Sequence, residues 1–237
     1  MNSILRSTAG LLFGTSIALS AAAFEGKVSL AMKGGREAEQ VIDYAMKGTR
    51  VRLEPKMAEA GGTAMIMNWE KQEMIMLMPE QRMYMVMPMK APAGAPGAAA
   101  RASATEQKVE KTGRSEKILG YDCDEYITTD DGKTTEMWIT EELGSFAGLG
   151  GGNPMAGMMG GGGAPAPASS WENALKNKKG AFPLRVVSRD GKGRETFRLE
   201  ARQIEPGTLP DSLFAPPAGF QKFAMPAMPG MPAGFGG

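Results

Sequence analysis

The sequence predicts a mainly β chain: one strongly curved antiparallel sheet with one or two short helices packed on it. Three observations predict it. Methionine recurs at alternate positions between Met65 and Met89, and two is the period of a strand. About ten short strand-like runs follow one another, broken by Gly-, Asp- and Pro-containing turns. Only one stretch, Ser169–Lys179, has a good helix start, with Ser169 or Ser170 able to cap and Glu172 in the first turn.

The segment from Met65 to Met89 holds nine of the chain's 20 methionines. They group as Met65 and Met67, then Met74, Met76 and Met78, then Met83, Met85, Met87 and Met89. Three strands result, each with a methionine face. If Glu80 and Gln81 centre one turn, Met78 pairs with Met83, Met76 with Met85 and Met74 with Met87. If Glu70 and Lys71 centre the other, Met67 pairs with Met74 and Met65 with Met76. A one-residue slip puts methionine opposite Ile75 or Tyr84, so the pattern specifies register. The opposite face carries Ala64, Ile66, Ile75, Leu77, Tyr84 and Val86 and is apolar too. Antiparallel sheets usually leave one face wet; here both need cover.

The remaining strands are expected at Phe24–Met32, Gln40–Met46, Thr49–Glu54, Glu106–Lys111, Ser115–Leu119, Tyr121–Thr128, Thr134–Thr140, Phe182–Arg189 and Arg194–Glu205. Val51 and Leu53 face inward, Arg50 and Arg52 outward. Hairpin turns are expected at Asp130–Lys133 and Asp190–Gly193, a helical turn at Glu141–Phe146, and a short turn or helix at Leu209–Phe214. The organisation read from this is a signal peptide at 1–23, one β-rich domain at 24–220, and a Gly/Pro/Met tail at 221–237. Flexible insertions interrupt the domain at 90–104 and 147–168, where Ala, Gly and Pro dominate.

The first 23 residues read as an export signal. Arg6 gives a positive start, Leu11–Leu19 is a short apolar run, and Ala21–Ala23 supplies small residues before a cut at Phe24. The run is too short to span a bilayer, and no later segment is long and apolar enough. The expected location is the periplasm or outside the cell. The charge balance of +1 argues against nucleic acid or an anionic membrane as partner. The lone Cys123 has no partner for an internal disulfide and reads as a small buried hydrophobe.

The chain has no histidine. Serine and cysteine nucleophile systems that need one are therefore excluded, and neither a phosphate-binding loop nor a dinucleotide fingerprint occurs. The acidic residues Asp122, Asp124, Glu125, Asp130 and Asp131 read as solvated surface. No catalytic residue, cofactor or metal ligand is assigned, and the chain reads as a non-enzyme. The methionines admit three readings: core packing, an adaptable apolar binding surface, or soft-metal capture of Cu(I) by thioethers.

The segments MIMNWEKQEMIMLMPEQRMYMVMP (65–88), ILGYDCDEY (118–126), TEMWITEELG (135–144), FPLRVVSRDGKG (182–193) and LPDSLFAPPAGF (209–220), in this order, resemble a family of exported bacterial proteins of unknown function. The ending LPDSLFAPPAGF is also similar to that of the LolA/LolB-like lipoprotein carriers. That resemblance implies an unclosed half-barrel whose concave face accepts acyl chains and is plugged by a helix. On this reading Met65, Met67, Met74, Met76, Met78, Met83, Met85 and Met87 form a binding face for a lipid, a lipoprotein acyl chain or an apolar peptide. Trp171 and Leu175, four apart on one helix face, form the plug. The alternatives from the residues are a Cu(I)-binding or oxidant-scavenging protein and a structural envelope protein. No oligomeric state is assigned.

Overall fold

The computed structural model describes residues 24–34, 38–56, 63–89, 109–130, 132–146, 171, 172, 175, 178 and 180–223. The proposed signal (1–23), both insertions and all of the tail beyond residue 223 lie outside the described residues.

Twelve strands form a single unclosed, curved sheet. They are β1 (Gly26–Gly34), β2 (Gln40–Lys47), β3 (Arg50–Pro55), β4 (Ala64–Asn68), β5 (Glu73–Met78), β6 (Met83–Pro88), β7 (Val109–Ile118), β8 (Tyr121–Asp130), β9 (Lys133–Thr140), β10 (Phe182–Arg189), β11 (Glu195–Pro206) and β12 (Gln221–Lys222). The order across the sheet is β12-β6-β5-β4-β3-β2-β1-β11-β10-β9-β8-β7. Two antiparallel meanders, β1 to β6 and β7 to β11, are thus zipped together along β1 and β11. Only β12 runs parallel to its neighbour, β6.

The methionine meander pairs in the expected register. Met78 faces Met83, Met76 faces Met85 and Met74 faces Met87; Met67 faces Met74 and Met65 faces Met76. Its two loops are alike: each has four residues and ends in a left-handed one, Gln72 at φ 53° and Arg82 at φ 51°. Equal loops of even length keep the methionines of all three strands on one face.

That face continues into the main core. Met67 lies opposite Val51 and Met65 opposite Leu53, and Val51 and Leu53 lie opposite Met46 and Tyr44. The core runs on through Val28, Leu30, Met137, Leu184, Val186 and Leu199, all fully buried. An aromatic group caps it. Tyr44 stacks on Phe146 at 5.5 Å, and Phe182 meets both edge-on at 5.4 Å.

The structure corrects three expectations. Glu106–Lys111 and Ser115–Leu119 are not two strands: Val109–Ile118 is one, with a bulge between Lys111 and Ser115. Gly113, at φ 82°, makes the bulge possible. Glu141–Phe146 is a turn and an irregular run, not helix. Glu125 is fully buried rather than solvated. The bulge explains it: Thr112 Oγ1 donates to Glu125 Oε2 at 2.6 Å, and the Arg114 guanidinium grips both carboxylate oxygens. A buried carboxylate needs such pairing. Strand β12 also carries the sheet two residues into the segment read as tail.

Candidate functional site

The structure divides the candidate residues into two groups. Met67, Trp171 and Leu175 belong to the main core, with Met65 packed against it. Met76, Met85 and Met87 are buried as a cluster of their own. Met74 touches both groups. Met78 and Met83, next to the β5–β6 loop, are half-buried. Among the described residues the only hydrophobic side chain packed against the trio is Met74. Opposed residues on one face have Cβ atoms about 4.5–5.5 Å apart. The Met76–Met85 and Met74–Met87 pairs therefore bring four thioethers together as a patch.

The back of the same strands is built differently. Ala64, Ile66, Ile75 and Leu77, with Ala45 of β2, pack against Leu209 and Phe214, flanked by Leu213 and Phe220. The segment after β11 therefore crosses the back of the sheet as a strap. A short 3-10 helix, Asp211–Phe214, lies within it. The strap ends as β12, where Gln221 N–H donates to Arg82 O at 2.9 Å and Phe223 N–H to Tyr84 O at 2.7 Å. The segment LPDSLFAPPAGF thus closes the second apolar face.

Charge fastens the strap. Lys47 Nζ donates to Leu209 O at 2.6 Å, and Arg52 Nη1 to Leu213 O at 3.2 Å. Asp211 lies 2.7 Å from Arg50 and 3.2 Å from Lys47. The Arg50 guanidinium sits over the Phe214 ring at 5.2 Å. The Leu209 amide, donating to Glu25 at 2.6 Å, and then Lys47 hold the Glu25 carboxyl below its ordinary range. Arg50 and then Lys47 do the same for Asp211. An open depression of about 860 Å³ beside the strap is lined by Glu25, Lys47, Arg50, Asp211 and Phe214 and by Glu70, Lys71 and Glu73. Within it Glu25 and Asp211 pair with Lys47 and Arg50, and Glu73 with Lys71.

Trp171 and Leu175 are helical and buried, at 2% and 7% exposure. Trp171 lies 5.8 Å from Phe146 and 6.1 Å from Phe197. The same core cluster contains Met67 of the methionine meander. The Trp171 Nε1 is buried with no acceptor among the described residues. An unsatisfied buried donor costs about 1–3 kcal/mol. Sequence reading saw Trp171 only as an apolar plug and missed this donor, because an indole carries no mark of its partner. Cys123 is free and buried as expected, and burial pushes its thiol up to about 11. Among the described residues no group of three or more His, Cys, Asp or Glu could hold a metal ion. No described helix is long and apolar enough to cross a membrane.

Residues 24–220 match the model of a domain of unknown function, DUF4412. The chain belongs to the DUF4412 family. The match starts at the residue expected after signal cleavage and ends just before β12, so the DUF4412 unit includes both the methionine meander and the strap. Comparison with curated proteins returns no match. Solved structures resemble this DUF4412 chain in fold alone. An uncharacterized conserved protein from Thermus thermophilus is 12% identical, with TM-score 0.48, covering 86% of this chain and 91% of that one. The MucA/MucB complex of Pseudomonas aeruginosa contains a chain 10% identical, with TM-score 0.43, covering 82% of this chain and 56% of that one. A putative outer membrane lipoprotein-sorting protein domain from Vibrio parahaemolyticus is 11% identical, with TM-score 0.33, covering 83% and 90%. This chain thus spans little more than half of the MucB-complex chain.

Proposed function

We propose that this protein is an exported, non-catalytic binding protein that holds an apolar ligand, a lipid or acyl chain, on its methionine face. One observation carries the reading: among the described residues the buried cluster Met76, Met85 and Met87, with Met74, contains no other hydrophobic side-chain type. The backs of the same strands are buried with Ile, Leu, Ala and Val, so burial alone does not call for methionine. Unbranched, polarizable thioethers suit occupants of variable shape. The unsatisfied Trp171 Nε1 at the neighbouring core supports a ligand with one polar end, such as an ester or carboxyl carbonyl. The lack of histidine supports binding rather than catalysis. A second reading, Cu(I) capture, rests on the four opposed thioethers.

Native mass spectrometry of protein purified from the periplasm without detergent tests the proposal. Adducts of acyl-chain mass support it, whereas increments of copper mass move the assignment to Cu(I). A clean apo protein that also extracts no lipid from phosphatidylethanolamine vesicles and takes up no added fatty acid overturns it. In the carrier reading Trp171→Phe folds normally but holds a fatty acid about tenfold more weakly, the value of one hydrogen bond in an apolar site. Unchanged affinity removes Trp171 from the site.

A further inference from the structure

We infer that Met78 and Met83 form an oxidation site at one end of the methionine face, and that their sulfoxides loosen its hold on the apolar ligand. The release step rests on the carrier reading above; the site itself does not.

The methionines of this face are not equally protected. Met76, Met85 and Met87 are buried, at 4%, 4% and 8% exposure. Of the half-buried methionines, Met32, Met65, Met74 and Met89 pack against the main core. Met78 and Met83 are half-buried as well, but among the described residues they belong to none of the hydrophobic clusters. The register sets them directly opposite each other, next to a loop whose Glu80, Gln81 and Arg82 are exposed. On its other side Met83 is paired with the exposed Gln221 of β12. Water and small solutes therefore reach this pair of sulfurs before they reach the buried trio.

The chemistry follows from what is accessible. The only cysteine, Cys123, is buried, and burial pushes its thiol up to about 11, so it carries little thiolate at neutral pH. A thioether needs no deprotonation to react. The reactant is a peroxide. The Met78 or Met83 sulfur attacks one oxygen of hydrogen peroxide, and the S–O bond forms as the O–O bond breaks. The departing hydroxide takes up the proton left on the bound oxygen, giving water. Sulfur loses two electrons and the peroxide gains them.

The product changes the face. Oxidation turns a pliable apolar side chain into a polar one. Met78 is the diagonal neighbour of Met85, and Met83 of Met76, at about 7–8 Å on a shared face. Two sulfoxides thus set strong dipoles at the edge of the buried thioether cluster, where an acyl chain offers them no hydrogen bond. Met76, Met85 and Met87 stay shielded from peroxide until the strands open. Reduction of the sulfoxides restores the apolar lip.

The test exposes the exported chain, residues 24–237, to hydrogen peroxide and follows each methionine by peptide mass spectrometry. Met78 and Met83 gain oxygen about tenfold or more faster than Met76, Met85 and Met87, as even modest local protection dictates. Equal rates, or a trio that reacts first, overturn the site. Binding of oleic acid is then measured before and after treatment, each protein serving as its own reference. The wild type loses about tenfold in affinity. In Met78→Leu with Met83→Leu, which has no sulfur at either position, the treatment changes nothing. Wild-type affinity that survives full oxidation of both residues overturns the release step. So does a leucine variant that responds to peroxide as the wild type does, or a loss of affinity that coincides with loss of the sheet's circular dichroism. A wild type that takes up no oleic acid before treatment overturns the carrier reading and the release step with it, while the order of oxidation still decides the site.

Discussion

The two faces of strands β4, β5 and β6 share one backbone, one set of registers and similar burial, yet differ in chemistry. Met76 and Leu77 are neighbours in β5, 4% and 1% exposed. Leu77 points back toward the strap with Ile66, Ile75 and Phe214; Met76 points forward into a cluster of methionines. β-Branched and aromatic residues suit strands best, and the back face uses Ile, Val and Tyr accordingly. The front face does without them. The difference teaches that burial sets how apolar a face must be but leaves the choice of side chain open. The back has a fixed cover, fastened by Lys47, Arg50 and Arg52. The front is lined with the most adaptable side chain available.

Truncation should separate the faces by the largest margin. Leu77→Ala is expected to cost about 3–4 kcal/mol, because the aliphatic wall and the strap cannot close on the void. Met76→Ala is expected to cost about 2 kcal/mol, since neighbouring methionines can swing into the space. Urea denaturation of both variants measures the gap. Equal losses would show that the methionine face is as rigid as the aliphatic one, and would weaken its reading as a binding surface.

How far this contrast is legible in the sequence depends on the residue. The alternation of methionine specifies strands, register and faces, because period two has a single geometric meaning. That both faces need cover also follows from Ile66, Ile75 and Leu77. What covers the back does not: LPDSLFAPPAGF lacks a strong period, and its docking depends on contacts such as Asp211 with Arg50 across 161 residues of chain. Glu125 escapes sequence reading for a related reason. Its carboxylate is buried only because the Gly113 bulge lets Thr112 and Arg114 converge on it, and a bulge is invisible to strand patterns. Trp171 and Leu175 are both helical and both buried in the main core, as their shared helix face implies.

Exchanging chemistry at constant size gives a smaller and sharper effect. Met76→Leu with Met85→Leu keeps volume and apolarity, so stability should change by less than about 1.5 kcal/mol. The stiffer leucines should narrow the range of acyl chains recovered with the protein, and should weaken any Cu(I) binding, since two of the four thioethers are gone. Mass spectrometry of bound lipid, beside a Cu(I) titration, reads both. If lipid content and copper uptake are both unchanged, thioether chemistry has no role and the face is ordinary core.

The smallest effect should come from the strap's charges, and its sign is set by pH. Asp211 and Glu25 have folded-state pKa values held below their ordinary ones. Each therefore adds stability that is present above the unfolded carboxylate range, near pH 4, and is lost as pH falls through the lower folded value. Burial opposes the charge on Lys47, but its bonds to Asp211 and Glu25 raise its pKa. Its contribution is complete below about pH 10.4 and fades only above that, so acid acts through the carboxylates alone. Asp124, Asp190 and Glu195 are lowered as well and give the whole domain an acid slope. Comparison of wild type with Asp211→Asn cancels those shared contributions. The variant should melt slightly lower at pH 7, and the two melting temperatures should converge below pH 4. A gap that persists into acid would mean that the asparagine disturbs the packing of the 3-10 helix. The exposed ion pairs would then contribute nothing measurable, and Leu209 and Phe214 alone would hold the strap to the aliphatic face.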